Sequence, residues 1–204
     1  MEKIKFPYFV KKNQTTLDRG FLVFGLLIFS LFVLWMNEEY FNVDFIEWVF
    51  NLTTGLAFAS YFFLIFFSVN EKEKLYGNYV GYLIFEPDRI LASDHEYRIE
   101  NLKKIEFSTS DYEGKKYTNY KSIDPKISHG VQNWVRLKTI DDSVFELNFQ
   151  LRYEDEFEKK LRDILINYHL KGKISFLALI QYIGISDSYE DIQEFKKELE
   201  KLKS

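Results

Sequence analysis

Two uncharged apolar runs, residues 21–36 and 48–69, lie close together near the start of a 204-residue chain, and they limit what it can fold into more than any other feature. Residues 48–69 contain no Asp, Glu, Lys, Arg or His. As a helix rising about 1.5 Å per residue, this run covers about 33 Å, enough to cross about 30 Å of hydrocarbon. Residues 20–36 come near the lower limit for a span. Trp35 and Trp48 fit an aromatic belt at one interface. Phe58, Phe62, Phe63, Phe66 and Phe67 fall all round the second helix, whereas the core helix of a soluble protein needs one apolar face. No small-x-small cleavage site follows the first run, and the second comes directly after it, so a retained hairpin fits better than a signal peptide.

The flanks set an orientation. Lys3, Lys5, Lys11, Lys12 and Arg19 precede the hairpin, and Lys72 and Lys74 follow it. The connector carries Glu38, Glu39, Asp44 and Glu47 with no Lys or Arg. The positive-inside rule then puts both termini in the cytosol. The expected organisation is a basic cytosolic flank over 1–19, a two-span hairpin over 20–69, a soluble domain over 76–170 and a helical hairpin over 171–204. In the flank, Pro7 and the polar cluster 13–16 argue against a helix, and Phe6, Tyr8 and Phe9 fit a membrane interface.

Composition removes several chemistries. Without cysteine there is no disulfide, thiolate nucleophile or cysteine-ligated zinc. His95, His129 and His169 do not cluster, and no HExxH spacing, Ser–His–Asp order or phosphate-cradling glycine loop is present. A formal net charge of −4 gives no global field for nucleic acid. The expectation is a chain that is not an enzyme and takes no cofactor, metal or nucleic acid.

From residue 78 the pattern is that of strands. Residues 79–85 alternate and end in the turn Glu86-Pro87-Asp88; residues 89–92 follow, then a turn at Ser93-Asp94-His95. Residues 97–99, 105–109, 131–139 and 144–149 read as further strands, with a hairpin turn at Asp141-Asp142-Ser143. Residues 110–130 read as a long polar loop or irregular strand. The period then changes: Phe157, Leu161, Ile164, Leu165 and Tyr168 share one helical face. Serial short strands followed by one amphipathic helix, carried by residues 81–90, 97–105, 133–142 and 145–149, resemble bacterial pleckstrin-homology-like domains, which often follow a two-helix membrane hairpin. The resemblance covers about residues 76–169. It implies a small β-barrel or bent antiparallel sheet capped by a helix, placed at the cytosolic face of a bacterial inner membrane, and it supplies no catalytic residues.

Three sets of residues are candidates for contacts. In the long loop, Lys115, Lys116 and Lys121 interleave with Tyr117 and Tyr120, pairing charge with stacking surface that suits a phosphorylated headgroup or a nucleotide. A solvated loop accounts for the same residues. On the second apolar helix, Gly55 and Ala59 form a small-xxx-small pair, and Asn51 and Thr54 share its face. That face suits packing of the two helices on each other, or self-association. On a last helix, Ile192, Phe195, Leu199 and Leu202 recur as in a coiled-coil seam, facing the domain or a second subunit. The acids Glu190, Asp191, Glu194, Glu198 and Glu200 on that helix exclude DNA binding.

The expected function is a membrane-anchored, homo-oligomeric binding or scaffolding module with membrane lipids, and a nucleotide or protein, as partners. The layout is also similar to membrane effectors of bacterial antiviral systems, in which a cytosolic domain senses a trigger and the helices assemble to breach the membrane.

Overall fold

The computed structural model describes residues 3–12, 19–41, 43–68, 70–117, 127–186 and 188–203. In chain order the elements are β1 (Ile4–Lys11), α1 (Arg19–Met36), a π-helical turn (Asn37–Phe41), α2 (Asp44–Ser68), β2 (Gly77–Phe85), β3 (Arg89–Ala92), β4 (His95–Arg98), a 3₁₀ turn (Ile99–Asn101), β5 (Leu102–Ser108), β6 (Glu113–Lys116), β7 (Ile127–His129), β8 (Asn133–Thr139), β9 (Val144–Phe149), α3 (Glu156–Leu170), α4 (Phe176–Tyr182) and α5 (Tyr189–Lys203). They form two units. One comprises Met1–Lys12, Tyr76–Lys115 and Ser128–Ser204; the other comprises Asn13–Leu75 and Lys116–Ile127.

The first unit is a sheet covered on one face by helices. Its strands pair antiparallel in the order β4-β3-β2-β1-β9-β8-β5. The residues before the hairpin are therefore not a flank. They supply β1, an inner strand between β2 and β9. Phe6 is fully buried, its ring 6.0 Å from that of Phe85, 5.5 Å from Phe149 and 6.4 Å from Phe157. Tyr8 packs against the same core, and Phe9 is buried edge-on to Tyr79. Phe6 and Phe9 are thus buried in the protein and Tyr8 is partly buried, where the sequence suggested a membrane interface.

Pro7 is the residue that hides this strand. Its carbonyl accepts from Gln150 N at 3.0 Å, so its ring also lies on the β9 side. There the ladder covers only Tyr8 and Phe9, opposite Phe149 and Asn148. Opposite Gln150, Pro7 makes one of the two bonds of a ladder pair, at the end of this short ladder, and a bulge follows at once between Tyr8 and Phe9.

The sheet does not close, which corrects the barrel expectation. Between β4 and β5 the 3₁₀ turn buries Ile99 and bends the chain, and these two strands end as opposite edges of the sheet. Alternation specifies strands and their faces, not closure. The helical cover follows the sequence more closely. Helix α3 buries Phe157, Leu161, Ile164, Leu165 and Tyr168 against the sheet. Tyr168 donates to the Glu86 carbonyl at 2.7 Å, and burial pushes its phenol pKa up. Ser175 caps α4 by accepting from Ala178 N at 3.3 Å. Glu156, also buried, accepts from Arg152 N and Lys160 Nζ, each at 2.6 Å, so its charge is paired.

In the second unit α1 and α2 form a hairpin whose outer surface is apolar. Both are long and apolar enough to cross a membrane, and only 6% of the spanning window of α2 is buried. That low burial distinguishes them from the core helices of a soluble protein.

Because Phe6 fills the core, Phe6→Ala is expected to destabilise the first unit by about 3–5 kcal/mol. The exposed Lys5→Ala is expected to change stability by no more than about 0.5 kcal/mol. Urea unfolding of the full chain in detergent, followed by near-ultraviolet circular dichroism, checks the pair; equal small losses would return residues 4–11 to the status of a flank.

Candidate functional site

The best-defined polar constellation holds the base of the 110–130 excursion. Asp111, Ser128 and Asn133 are all buried. Ser128 Oγ donates to Asp111 Oδ2 at 2.8 Å, and Gln132 N donates to the same oxygen at 3.0 Å. Asp111 N donates to Asn133 Oδ1 at 3.0 Å, and Asn133 Nδ2 donates to the Gly130 carbonyl at 2.9 Å. Gly130 itself has φ +71°, and a Cβ there would collide with the Leu151 carbonyl and the backbone of Tyr112 and Glu113. A buried carboxylate oxygen that accepts from a hydroxyl and from a backbone N–H fixes the backbone around it. β6 and β7 then pair as a two-stranded ribbon.

Of the loop residues expected to bind a ligand, Lys115, Lys116 and Tyr117 are described, while Tyr120 and Lys121 lie outside the described residues. Lys115 Nζ donates to the Ser110 carbonyl and lies 5.9 Å from the centre of the Tyr112 ring, so it is engaged by its own loop. Lys116 is exposed and Tyr117 partly buried. Within the second unit, Ile127 joins the chain just after α2: Ile127 N donates to the Glu71 carbonyl at 3.1 Å, and Glu73 N donates to the Ile127 carbonyl at 2.9 Å. A parallel bridge between Lys72 and Ile127 completes the link. Nothing in the polarity of 110–130 signalled this backbone pairing.

The helix contacts also fall elsewhere. Gly55 and Ala59 are exposed, and a Cβ on Gly55 would meet nothing within 4 Å. Asn51 is exposed, and Thr54 is partly buried. The hairpin packs instead through Val23, Ser30, Asn37 and Ala57. Ser30 Oγ lies 3.2 Å from Thr53 Oγ1 across the contact, each within reach of a carbonyl of its own helix. Asn37 closes the connector by donating to the Val43 carbonyl at 3.2 Å and accepting from Val43 N at 2.9 Å. The signal was present: Val23, Ser30 and Asn37 recur every seventh residue, the spacing of a helix–helix seam.

The seam expected on the last helix is covered by the chain itself. Phe195 and Leu199 are buried in the core of the first unit, with Phe195 stacked on Phe176 at 6.3 Å. Ile192 packs partly against that core, and Leu202 is exposed. A stripe buried in its own domain is not free to hold a second subunit.

Comparisons with protein-family models, with curated proteins and with solved structures return no match.

Two expectations follow. Asp111→Ala would leave the Ser128 hydroxyl and Gln132 N–H without their acceptor, at about 1–3 kcal/mol, and should speed proteolytic cutting within 112–127. Ala57→Leu should wedge the hairpin open and lower the thermal midpoint of the detergent-solubilised chain by several degrees, more than Gly55→Leu, whose added side chain meets nothing within the hairpin. An equal effect of the two leucines would mean that the helices pack through the other face.

Proposed function

We propose that the chain is a membrane-anchored, non-enzymatic binding or scaffolding module. The observation that carries this is the bare apolar surface of the α1–α2 hairpin, with Phe21, Phe24, Phe62 and Phe66 each at least 60% exposed. Water is a poor solvent for such a surface and a bilayer is a good one. Trp35 and Trp48 are exposed near the connector, where an aromatic belt belongs. Pairing of β1 with β2 adds a topological argument. The strands before and after the hairpin share one sheet, so both ends of the hairpin belong in one compartment, as two spans require. Lysines at both ends and acids in the connector favour the cytosol for the sheet unit, at a bacterial inner membrane. Short antiparallel strands capped by α3 support the pleckstrin-homology-like reading. The exposed face of Gly55 and Ala59, which the hairpin does not use, supports a homo-oligomer with its contact in the membrane. Reporters fused before Lys3 and after Ser204 should both behave as cytosolic; reporters on opposite sides would overturn this reading.

One observation favours the effector reading as a second possibility. The backbone link of Ile127 to Glu71 and Glu73 joins the Lys/Tyr loop to the residues directly after α2, a route by which ligand binding at the loop could move that helix. If the link gates the membrane, expression should depolarise cells in the presence of the trigger, and Ile127→Pro, which removes the N–H to Glu71, should abolish the response. Cells that never depolarise, with or without phage, leave the module reading alone.

A further inference from the structure

The sheet of the first unit has two faces, and half of its outer one is apolar. The core face takes Phe6 with Leu83, and Ile4 with Phe85, as cross-strand pairs. Outward from the same strands point the partners Lys5 with Ile84, Pro7 with Tyr82, and Phe9 with Tyr79, and Ile84 in turn faces Leu91 of β3. The extra residue of the bulge is Val80 on β2, so β1 keeps its alternation and Tyr79, opposite Phe9, turns outward together with Val80 and Tyr82. Tyr79 is 44% exposed, Val80 45% and Tyr82 48%. The β5–β8–β9 half of the outer face is different: Arg136 pairs with Glu146 at 2.9 Å, and Lys104 with Glu106 at 2.6 Å.

The apolar half is bordered by cations. Lys5, Lys11 and Lys12 are exposed, with Lys5 Nζ 5.0 Å from the centre of the Tyr82 ring. The nearby acid on β4, Glu96, is already paired, 3.3 Å from Arg98 Nε and 3.8 Å from Arg89 Nη1. Val, Tyr and Lys in one patch match the zone between acyl chain and headgroup, where a phenol sits at the interface and a lysine reaches phosphate. A second copy is a poorer occupant, since a two-fold contact would bring the lysines of both copies to one seam.

Chain length adds a constraint. β1 ends at Lys11, and α1 begins at Arg19. Fully extended, the chain between reaches about 25–30 Å at most. Wherever α1 enters a bilayer, the end of β1 stays near that bilayer's surface, at the high effective concentration that a short tether gives.

We infer that the outer face of β1–β2, centred on Tyr79, Val80 and Tyr82 and bordered by Lys5, Lys11 and Lys12, is a docking surface for an anionic lipid bilayer. It lays the sheet unit against the membrane that the hairpin anchors. The inference rests on the anchor reading above and adds a lipid class and an orientation to it.

The chain lacks cysteine, so single spin labels can be placed without background changes. Labels at Val80→Cys and Tyr82→Cys, and at Leu177→Cys on the helical side (75% exposed), are read in the full chain in nanodiscs that carry nickel-chelating lipid headgroups. Phosphatidylcholine discs are compared with phosphatidylcholine–phosphatidylglycerol discs. The expected result is strong nickel broadening at Val80 and Tyr82 in the anionic discs, at least twofold weaker broadening in the neutral ones, and none at Leu177. The variant Lys5→Gln/Lys11→Gln/Lys12→Gln should bring the anionic value down to the neutral one, with an unchanged circular dichroism spectrum as the control for folding. Equal broadening at Tyr82 and Leu177, or no dependence on phosphatidylglycerol, overturns the lipid face while leaving the anchor intact. Spin–spin broadening at Tyr82 without nickel shows a second copy there and also overturns it. A chain that does not co-elute with the discs overturns the anchor reading and the lipid face together.

Discussion

The pairing of β1 with β2 on one side and β9 on the other is the constraint on which the rest of this protein depends. These strands are distant in sequence, because the whole hairpin lies between β1 and β2. In effect, the two long helices are an insertion into a β-hairpin. The entropic cost of so long an insertion is modest, since each doubling of loop length adds only about 0.6 kcal/mol. Four to five doublings over a tight hairpin loop come to about 3 kcal/mol, a cost of the size that burial of Phe6 among Phe85, Phe149 and Phe157 offsets. The sheet unit is therefore incomplete until the hairpin has been made and its two ends have come back together.

Buried polar groups in both units hold shape and do not suggest chemistry. Asp111 gathers the Ser128 hydroxyl and the Gln132 amide, and with Asn133 it pins both ends of the 110–130 excursion. Asn37 does the same for the connector by closing on both backbone groups of Val43. At the sheet surface Asp142, at φ +63°, is held below the usual carboxylate range by Lys138 and Lys103, which steadies the β8–β9 turn. Each group meets a donor or acceptor set by the local backbone, and such arrangements cost most when half-satisfied. Among the described residues no His, Asp and Glu gather into a set of three that could hold a metal.

Much of the architecture is legible in the residues. The apolar runs mark α1 and α2 because a helix that is apolar all round has no use for one-sided packing. The turns at Glu86-Pro87-Asp88 and Asp141-Asp142-Ser143 bound β3 and β9 where alternation placed them. The face of α3 is spelled by Phe157, Leu161, Ile164, Leu165 and Tyr168. What misled was local evidence with a non-local resolution. Pro7 argues against an inner strand until the β9 ladder is seen to cover only Tyr8 and Phe9. Gly55 and Ala59 have the right spacing for close helix approach, yet the hairpin turns Ala57 and Ser30 inward. Phe195 and Leu199 look like a seam for a partner, and the chain's own core takes them.

The sequence by itself determined the helices, most strands after residue 78, and that two helices suit a membrane, because period, length and charge are properties of neighbouring residues. Only the tertiary structure decided that residues 4–11 are an inner strand, that the sheet stays open, that Ile127 pairs with the chain after α2, and which helix face is left bare. Those outcomes depend on hydrogen-bond partners far apart in the chain, and a partner's position is not written in the residues that await it.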